Sequence, residues 1–425
     1  MDRPVDCSDL SRDVRTIDAA LQRFIIFWFP ESGGGIMAPN TSRRDFLSAG
    51  LMLPIASAGS RMGFLAKPEG VTDTPSVPVK LDYKVLGHTG LKVTTVGMGC
   101  MITSDPSVIE RAADAGINYF DTARSYQHGN NERMVGAALG AKRKQIVLST
   151  KTHAPDKAGM QQHLEQSLRE LNTDYIDIWY LHGRSSAADI HDDMIEAQQL
   201  AKQQGKIRFA GVSTHSGQKD LLPWMAQKGV FDVVLAAYNF SMDAAMEQAV
   251  ATAAKAGMGV VGMKVMAGGA RSVKPGSPLY DRLTKPGALL AALKWVVKNP
   301  NVATTIPSMT DMDQLEENLK AMGNPLSSDD EKILAAHLEM IRPLYCRMCG
   351  ECDGQCQKGL PVADVLRVLT YADGYGQFAL GRERFLELAD EHRAIRCDDC
   401  AECTVQCPHG VRVSERVARA QELFA

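Results

Sequence analysis

Eight times between Asp82 and Gly323 a short apolar run gives way to an amphipathic stretch, and this alternation limits the fold more than any other feature. The apolar runs fall at 96–100, 119–122, 146–150, 176–181, 207–212, 233–238, 260–265 and 304–306. Between them, 106–115, 160–171, 190–204, 244–256, 289–297 and 314–321 carry helical periodicity, and Gly205, Gly229 and Gly257 stand where helices would stop. A short hairpin is expected first, with strands 83–86 and 91–93 joined through His88-Thr89-Gly90. Eight buried strands, each followed by a helix, predict an α/β fold of the (β/α)8 TIM-barrel type. An open doubly wound sheet would place a Gly-rich phosphate loop after its first strand. Here that stretch reads Gly97-Met98-Gly99-Cys100-Met101-Ile102, with no third glycine in register.

In such a barrel, chemistry gathers at the C-terminal ends of the strands. Those ends carry Asp121, with Tyr126 just beyond it, then Lys151, then His182. A free tyrosine is a poor acid at neutral pH, and a neighbouring ammonium lowers its pKa. A carboxylate would hold that lysine, and a neutral imidazole would polarise a carbonyl oxygen. The four residues together form an apparatus for protonating an oxygen while hydride reaches the carbon. Trp179, Trp224 and Tyr238 are candidates for the pocket wall or for the core.

Over about residues 82–323 the sequence resembles the aldo-keto reductase family. The matching segments include Lys84-Val85-Leu86-Gly87-His88-Thr89-Gly90-Leu91-Lys92-Val93, Tyr119-Phe120-Asp121-Thr122-Ala123 with Ser125-Tyr126, and Ser149-Thr150-Lys151. Leu181-His182, Gly211-Val212-Ser213, Tyr238-Asn239, Ile306-Pro307 and Glu317-Asn318 match as well. The resemblance implies catalytic roles for Asp121, Tyr126, Lys151 and His182, with Tyr126 as general acid/base. It also implies a nicotinamide cofactor, NAD(P)(H), near Ser213, Thr214, Ser308, Gln314, Glu317 and Asn318. The sequence departs from the family pattern in having Thr214 after Ser213, Leu235 in place of a glutamine and Met263 in place of a stacking tyrosine. Ser308 and Gln314 stand where cations often clamp the 2′-phosphate, which argues against NADP. Lys264, Gly268 and Gly269 could meet a pyrophosphate through charge and backbone N–H groups.

Eight of the ten cysteines lie between Cys346 and Cys407. Cys346-x2-Cys349-x2-Cys352-x3-Cys356 and Cys397-x2-Cys400-x2-Cys403-x3-Cys407-Pro408 both carry the spacing of bacterial 4Fe–4S ferredoxins. In two-cluster ferredoxins the fourth cysteine of each run serves the other cluster. This predicts two groups: Cys346, Cys349 and Cys352 with Cys407, and Cys397, Cys400 and Cys403 with Cys356. The blocks repeat one another, with Glu351, Gln355, Gly359 and Val362 matching Glu402, Gln406, Gly410 and Val413. Gln357 breaks the match, because Pro408 stands at the equivalent position. Zinc is the alternative for paired C-x2-C spacings. Helical patterns at 362–369 and 382–391 predict a helix-rich ferredoxin-like domain over 346–425, joined to the barrel by a connecting segment at 324–345. Cys100 is expected to be a small buried residue near the pocket.

Thr41-Ser42-Arg43-Arg44-Asp45-Phe46-Leu47, a weakly apolar stretch and Ala56-Ser57-Ala58 have the parts of a twin-arginine export signal, in order, over 37–58. Met37 is then a candidate start, 1–36 an upstream extension and 59–81, with Pro68, Pro75 and Pro78, a linker. The expected location is periplasmic or otherwise exported, with the twin-arginine machinery as a partner. Charges nearly balance, 47 Lys+Arg against 50 Asp+Glu, which excludes a strongly basic nucleic-acid binder. No apolar run reaches the ~18 residues of a membrane-spanning helix. The expectation is an oxidoreductase that interconverts a small-molecule carbonyl and alcohol and is coupled through two 4Fe–4S clusters to a one-electron redox partner. The alternative is a non-catalytic or redox-sensing barrel with an electron-transfer module.

Overall fold

Eight parallel strands form one sheet in sequence order and close into a barrel. They are Met98–Gly99, Tyr119–Asp121, Val147–Thr152, Ile176–Leu181, Ile207–Thr214, Val233–Ala237, Gly259–Met263 and Thr304–Thr305. Parallel bridges from Val96 to Thr305 and from Gly99 to Ser308 join the last strand to the first. The computed structural model describes residues 80–268 and 287–424. The expected extension 1–36, the signal 37–58, most of the linker 59–81 and Gly269 lie outside the described residues.

The central strands are buried at every position because helices cover the outside and side chains fill the inside. One apolar cluster joins Tyr119, Ile178, Tyr180, Leu235 and Val261 to Leu86 and Val93 of the hairpin. Another joins Phe120 and Trp179 to helix residues such as Ile109 and Leu164. The hairpin, Tyr83–Val85 paired antiparallel with Lys92–Thr94, lies against the loop that precedes the strand Gly259–Met263. Its turn requires glycine at position 87, since φ is +52° and a Cβ there would lie 2.3 Å from the Gly259 nitrogen. Asp105, Asp156, Asp243 and Asp311 each accept a backbone N–H at a helix N-terminus, which sets where those helices begin.

The segment 324–345 contains the helix Ser328–Ile341, opened by a reciprocal Ser327–Asp330 capping box. Beyond it the described residues form the helices Val362–Asp373, Phe378–Leu386, Asp390–Ala394 and Val413–Phe424 and no strand. The helix expected over 382–391 is divided, because Ala389 leaves the helical region at φ −55°, ψ 144° and caps a new turn. Val362–Asp373 and Val413–Phe424 have equal lengths and stand at the same place after the two cysteine blocks, so the sequence repeat is also a structural one. Gln406 N donates to the side-chain oxygen of its counterpart Gln355 at 2.9 Å, with 51 residues between them in register. These helices bury Val365, Leu369, Phe385, Val417 and Phe424 in a core of their own.

Candidate active site

Asp121 and Lys151 end up side by side because the strands that carry them are neighbours in register. Both are buried, and the Lys151 ammonium donates to the Asp121 carboxylate. It donates as well to the Thr122 carbonyl at 2.7 Å and to the Tyr126 hydroxyl at 3.2 Å. Ser149 Oγ donates to the other Asp121 oxygen at 2.7 Å. The His182 ring meets the Tyr126 ring edge-on, with centroids 5.7 Å apart. Gln127 and His128, directly after Tyr126, adopt left-handed φ of 49° and 53°. Such backbone persists where the surroundings impose it; here Gln127 Nε2 anchors the turn on the Thr103 carbonyl at 2.8 Å.

The electrostatics differ from the expectation in one respect. Burial raises the Tyr126 pKa, and the opposing pull of the Lys151 ammonium does not cancel it. Tyr126 therefore stands as a protonated phenol, a donor rather than a phenolate. Burial disfavours the Lys151 ammonium, but Asp121 and Tyr126 more than offset this and hold its pKa above the ordinary lysine value. His182 is held neutral by burial, reinforced by His153 and Lys151. The sequence reading missed two further histidines. His153 stacks on His182 at 3.9 Å between centroids, and burial pushes its pKa down to about 4. His215 is likewise held far below its ordinary value by burial and then by Lys264. Both directly follow barrel strands, and that position was the available signal.

Asp121, Tyr126 and His182 line a cavity of about 590 Å³ whose opposite wall belongs to the helical module, including Cys356, Arg367, Tyr371, Tyr375 and Arg384. No local pattern in the sequence marks these helix residues as neighbours of a strand-end tyrosine. Trp179 and Tyr238 are core residues, and Trp224 packs partly buried against the same core.

The expected cofactor residues divide. Lys264 and Ser308 line the cavity, whereas Ser213, Thr214, Gln314, Glu317 and Asn318 do not. Ser213 Oγ accepts the Gly183 N–H at 2.9 Å, and Thr214 Oγ1 donates to the Ser216 carbonyl at 2.6 Å. The Gln314 amide braces its own loop through Thr310, at 2.9 Å from the Thr310 hydroxyl. Asn318 is buried, and among the described residues neither end of its amide has a partner, as expected of a side chain that awaits a polar ligand. Lys264 carries its ammonium 4.7 Å from the ring centre of Tyr371 and 5.2 Å from that of Tyr375. Gly268 packs under Gly374 and Tyr345. The loop expected to cradle a pyrophosphate is thus partly covered by the helical module.

Cys346 lies within electrostatic reach of Cys352, Cys349 and Cys407, and Cys397 of Cys403, Cys400 and Cys356. Burial pushes the Cys346 thiol up to about 12, with contributions from Cys352, Cys349 and Cys407. Burial and the thiols of Cys403, Cys400 and Cys356 push Cys397 up to about 11. Two sets of four thiols, each borrowing the fourth member of the other run, suit two cubane clusters. Cys349, Glu351 and His409 also bring ligand atoms within 4.8 Å of one another, a mixed set that shares Cys349 with the first group. Cys100 is buried beside Asp121.

A closed (β/α)8 barrel with Asp, Tyr, Lys and His converging on a strand-end cavity defines a barrel oxidoreductase. The chain belongs to the Aldo/keto reductase family, whose model matches residues 104–282 and 284–339. It is 28% identical to an uncharacterized oxidoreductase, YqkF, of Bacillus subtilis over 59% of this chain and 95% of that protein. It is 26% identical to L-galactose dehydrogenase of Arabidopsis thaliana over 62% of this chain and 97% of that protein. A probable voltage-gated potassium channel subunit beta of the same plant is 27% identical over 57% and 91% of the two chains. The solved structure of a Bacillus halodurans aldo-keto reductase in its holo form superposes with a TM-score of 0.54 at 27% identity, covering 64% of this chain and 99% of that one.

Proposed function

We propose that the protein interconverts a carbonyl and an alcohol with Tyr126 as proton donor and acceptor, and that two 4Fe–4S clusters link this chemistry to a one-electron partner. The observation that carries the reading is the buried chain from Asp121 through Lys151 to the Tyr126 hydroxyl, in a cavity wall that Cys356 shares. In reduction, Tyr126 gives its proton to the substrate oxygen and Lys151 stabilises the phenolate left behind. Neutral His182 orients the carbonyl. Asp121 keeps Lys151 charged and in place.

The unpartnered Asn318 amide suits the polar edge of an adenine, and neither Ser308 nor Gln314 carries charge for a 2′-phosphate. The residues fit NAD(H) better than NADP(H), and when bound the nicotinamide supplies the hydride. Cys346, Cys349, Cys352 and Cys407 would hold one cluster, and Cys397, Cys400, Cys403 and Cys356 the other. Their chemistry is one-electron transfer.

Replacing Tyr126 by phenylalanine should abolish carbonyl turnover while NADH binding, followed by tryptophan fluorescence, persists. Full turnover by that variant would refute the assignment. A regulatory barrel is favoured by one fact, the relatives named as channel beta subunits. Turnover of no carbonyl compound by cluster-loaded protein, with NADH bound, would select it. Export through the twin-arginine route rests on Arg43-Arg44 and the stretch after them. Changing both arginines to lysine should retain the protein in the cytoplasm; unchanged export would sink that reading.

A further inference from the structure

Among the described residues that face the cavity most charges are paired, and Lys264 and Asp353 are the exceptions. Arg367 is bound to Asp364 at 3.0 Å and Arg384 to Glu387 at 2.8 Å. Lys151 is bound to Asp121. Asp353, in the cysteine loop, has another carboxylate, Asp364, as its charged neighbour, and burial with that like charge holds its pKa above the ordinary value. Among the described residues no carboxylate acts on Lys264, whose ammonium lies between the rings of Tyr371 and Tyr375 with Arg367 close by. Arg367 also donates to the Tyr371 hydroxyl at 3.3 Å. The charged neighbour of Lys264 is itself a cation, Arg367, and the field of the two reaches His215, where both favour the neutral ring. The Tyr371 and Tyr375 hydroxyls offset burial of the Lys264 ammonium and hold its pKa above the ordinary lysine value, and a bound anion would take over that role.

We infer that Lys264, Arg367 and the Tyr371 hydroxyl form an anion subsite, built jointly by barrel and helical module, that selects carbonyl or alcohol substrates bearing a carboxylate. The substrate's oxygen would lie at Tyr126 and His182, and its acid group at the Lys264 corner of the same cavity. The empty corner is partly self-compensated: burial raises the Tyr371 pKa, but Lys264 and Arg367 outweigh it and bring it down to about 8. A fraction of phenolate would then stand in for the missing anion. The inference rests on the carbonyl reading above for its substrate, but not for its anion.

Two measurements on the full, cluster-loaded chain test it separately. The first compares kcat/KM for 4-carboxybenzaldehyde and benzaldehyde. A preference of about tenfold or more for the acid is expected, and Lys264→Met and Arg367→Met should each erase most of that ratio. The second is calorimetric binding of benzoate, which needs no turnover. Affinity should fall about tenfold in both variants and persist in Tyr126→Phe. Tyr371→Phe, which keeps both cations and removes the competing phenolate, should bind benzoate at least as well as the parent, and it guards against variants that merely misfold. If no aldehyde is turned over yet benzoate binding follows Lys264 and Arg367, the subsite stands and the carbonyl reading falls. Benzoate binding indifferent to both cations would overturn the subsite. So would a Lys264→Met protein that loses only NADH affinity, since the charge would then serve the cofactor's pyrophosphate.

Discussion

Gly374, at the end of the helix Val362–Asp373, presses against the carbonyl oxygen of Gly268 so closely that a Cβ there would lie 1.9 Å from it. The contact brings backbone of the helical module onto the loop that follows the barrel strand Gly259–Met263. It turns two modules with separate cores into one cavity wall.

Gly374→Ala should therefore loosen the docking of the module. The residue has an ordinary φ of −91°, so the cost is steric rather than conformational. A destabilisation of about 1–3 kcal/mol is expected from overpacking against fixed backbone. Thermal unfolding would record it, and limited proteolysis should cut earlier between barrel and module.

Lys151→Met should reduce carbonyl turnover about as severely as loss of Tyr126, by about 10²–10⁴-fold. Tyr126 is already held as a phenol by burial, and removing the ammonium pushes its pKa higher still. The alkaline limb of the reduction profile should move upward in pH in this variant. A limb that moved downward would contradict the electrostatics.

Three imidazoles, His153, His182 and His215, are held neutral below their ordinary range. In the unfolded chain they take protons as pH falls through about 6.5, while the folded chain does not. Their contribution is present above pH 6.5 and is lost as pH falls toward about 4, where His153 takes its proton. Chemical denaturation at pH 7 and pH 4.5 should show the drop, and His153→Phe should lessen it.

Iron analysis should find about eight irons per chain in anaerobically prepared protein. Cys407→Ser should lose the cluster of the first run and Cys356→Ser that of the second, each leaving about four irons with a distinct EPR signal after reduction. Loss of the cluster in a variant's own run would contradict the borrowed-ligand arrangement. Zinc in place of iron would refute the clusters altogether.

Much of this arrangement follows from local pattern. Alternating apolar runs place the eight strands within a few residues, since burial on both faces of a parallel strand demands apolar side chains throughout. Strand ends identify Asp121, Lys151 and His182, and the repeat in the cysteine blocks marks the two equal helices that follow them. The helix Asn130–Leu139 escaped because Gly136 interrupts its pattern, and of Gln218–Lys228, broken by Pro223, only the stop at Gly229 is legible. What the chain's order could not show is which side chains meet across 100 or more residues. Only the fold sets Tyr371 and Arg367 against Lys264, or Gly374 against Gly268. It also decides that burial, not the neighbouring ammonium, governs the Tyr126 proton. Desolvation and long-range contact depend on how the whole chain encloses a site, and no short stretch of sequence contains that information.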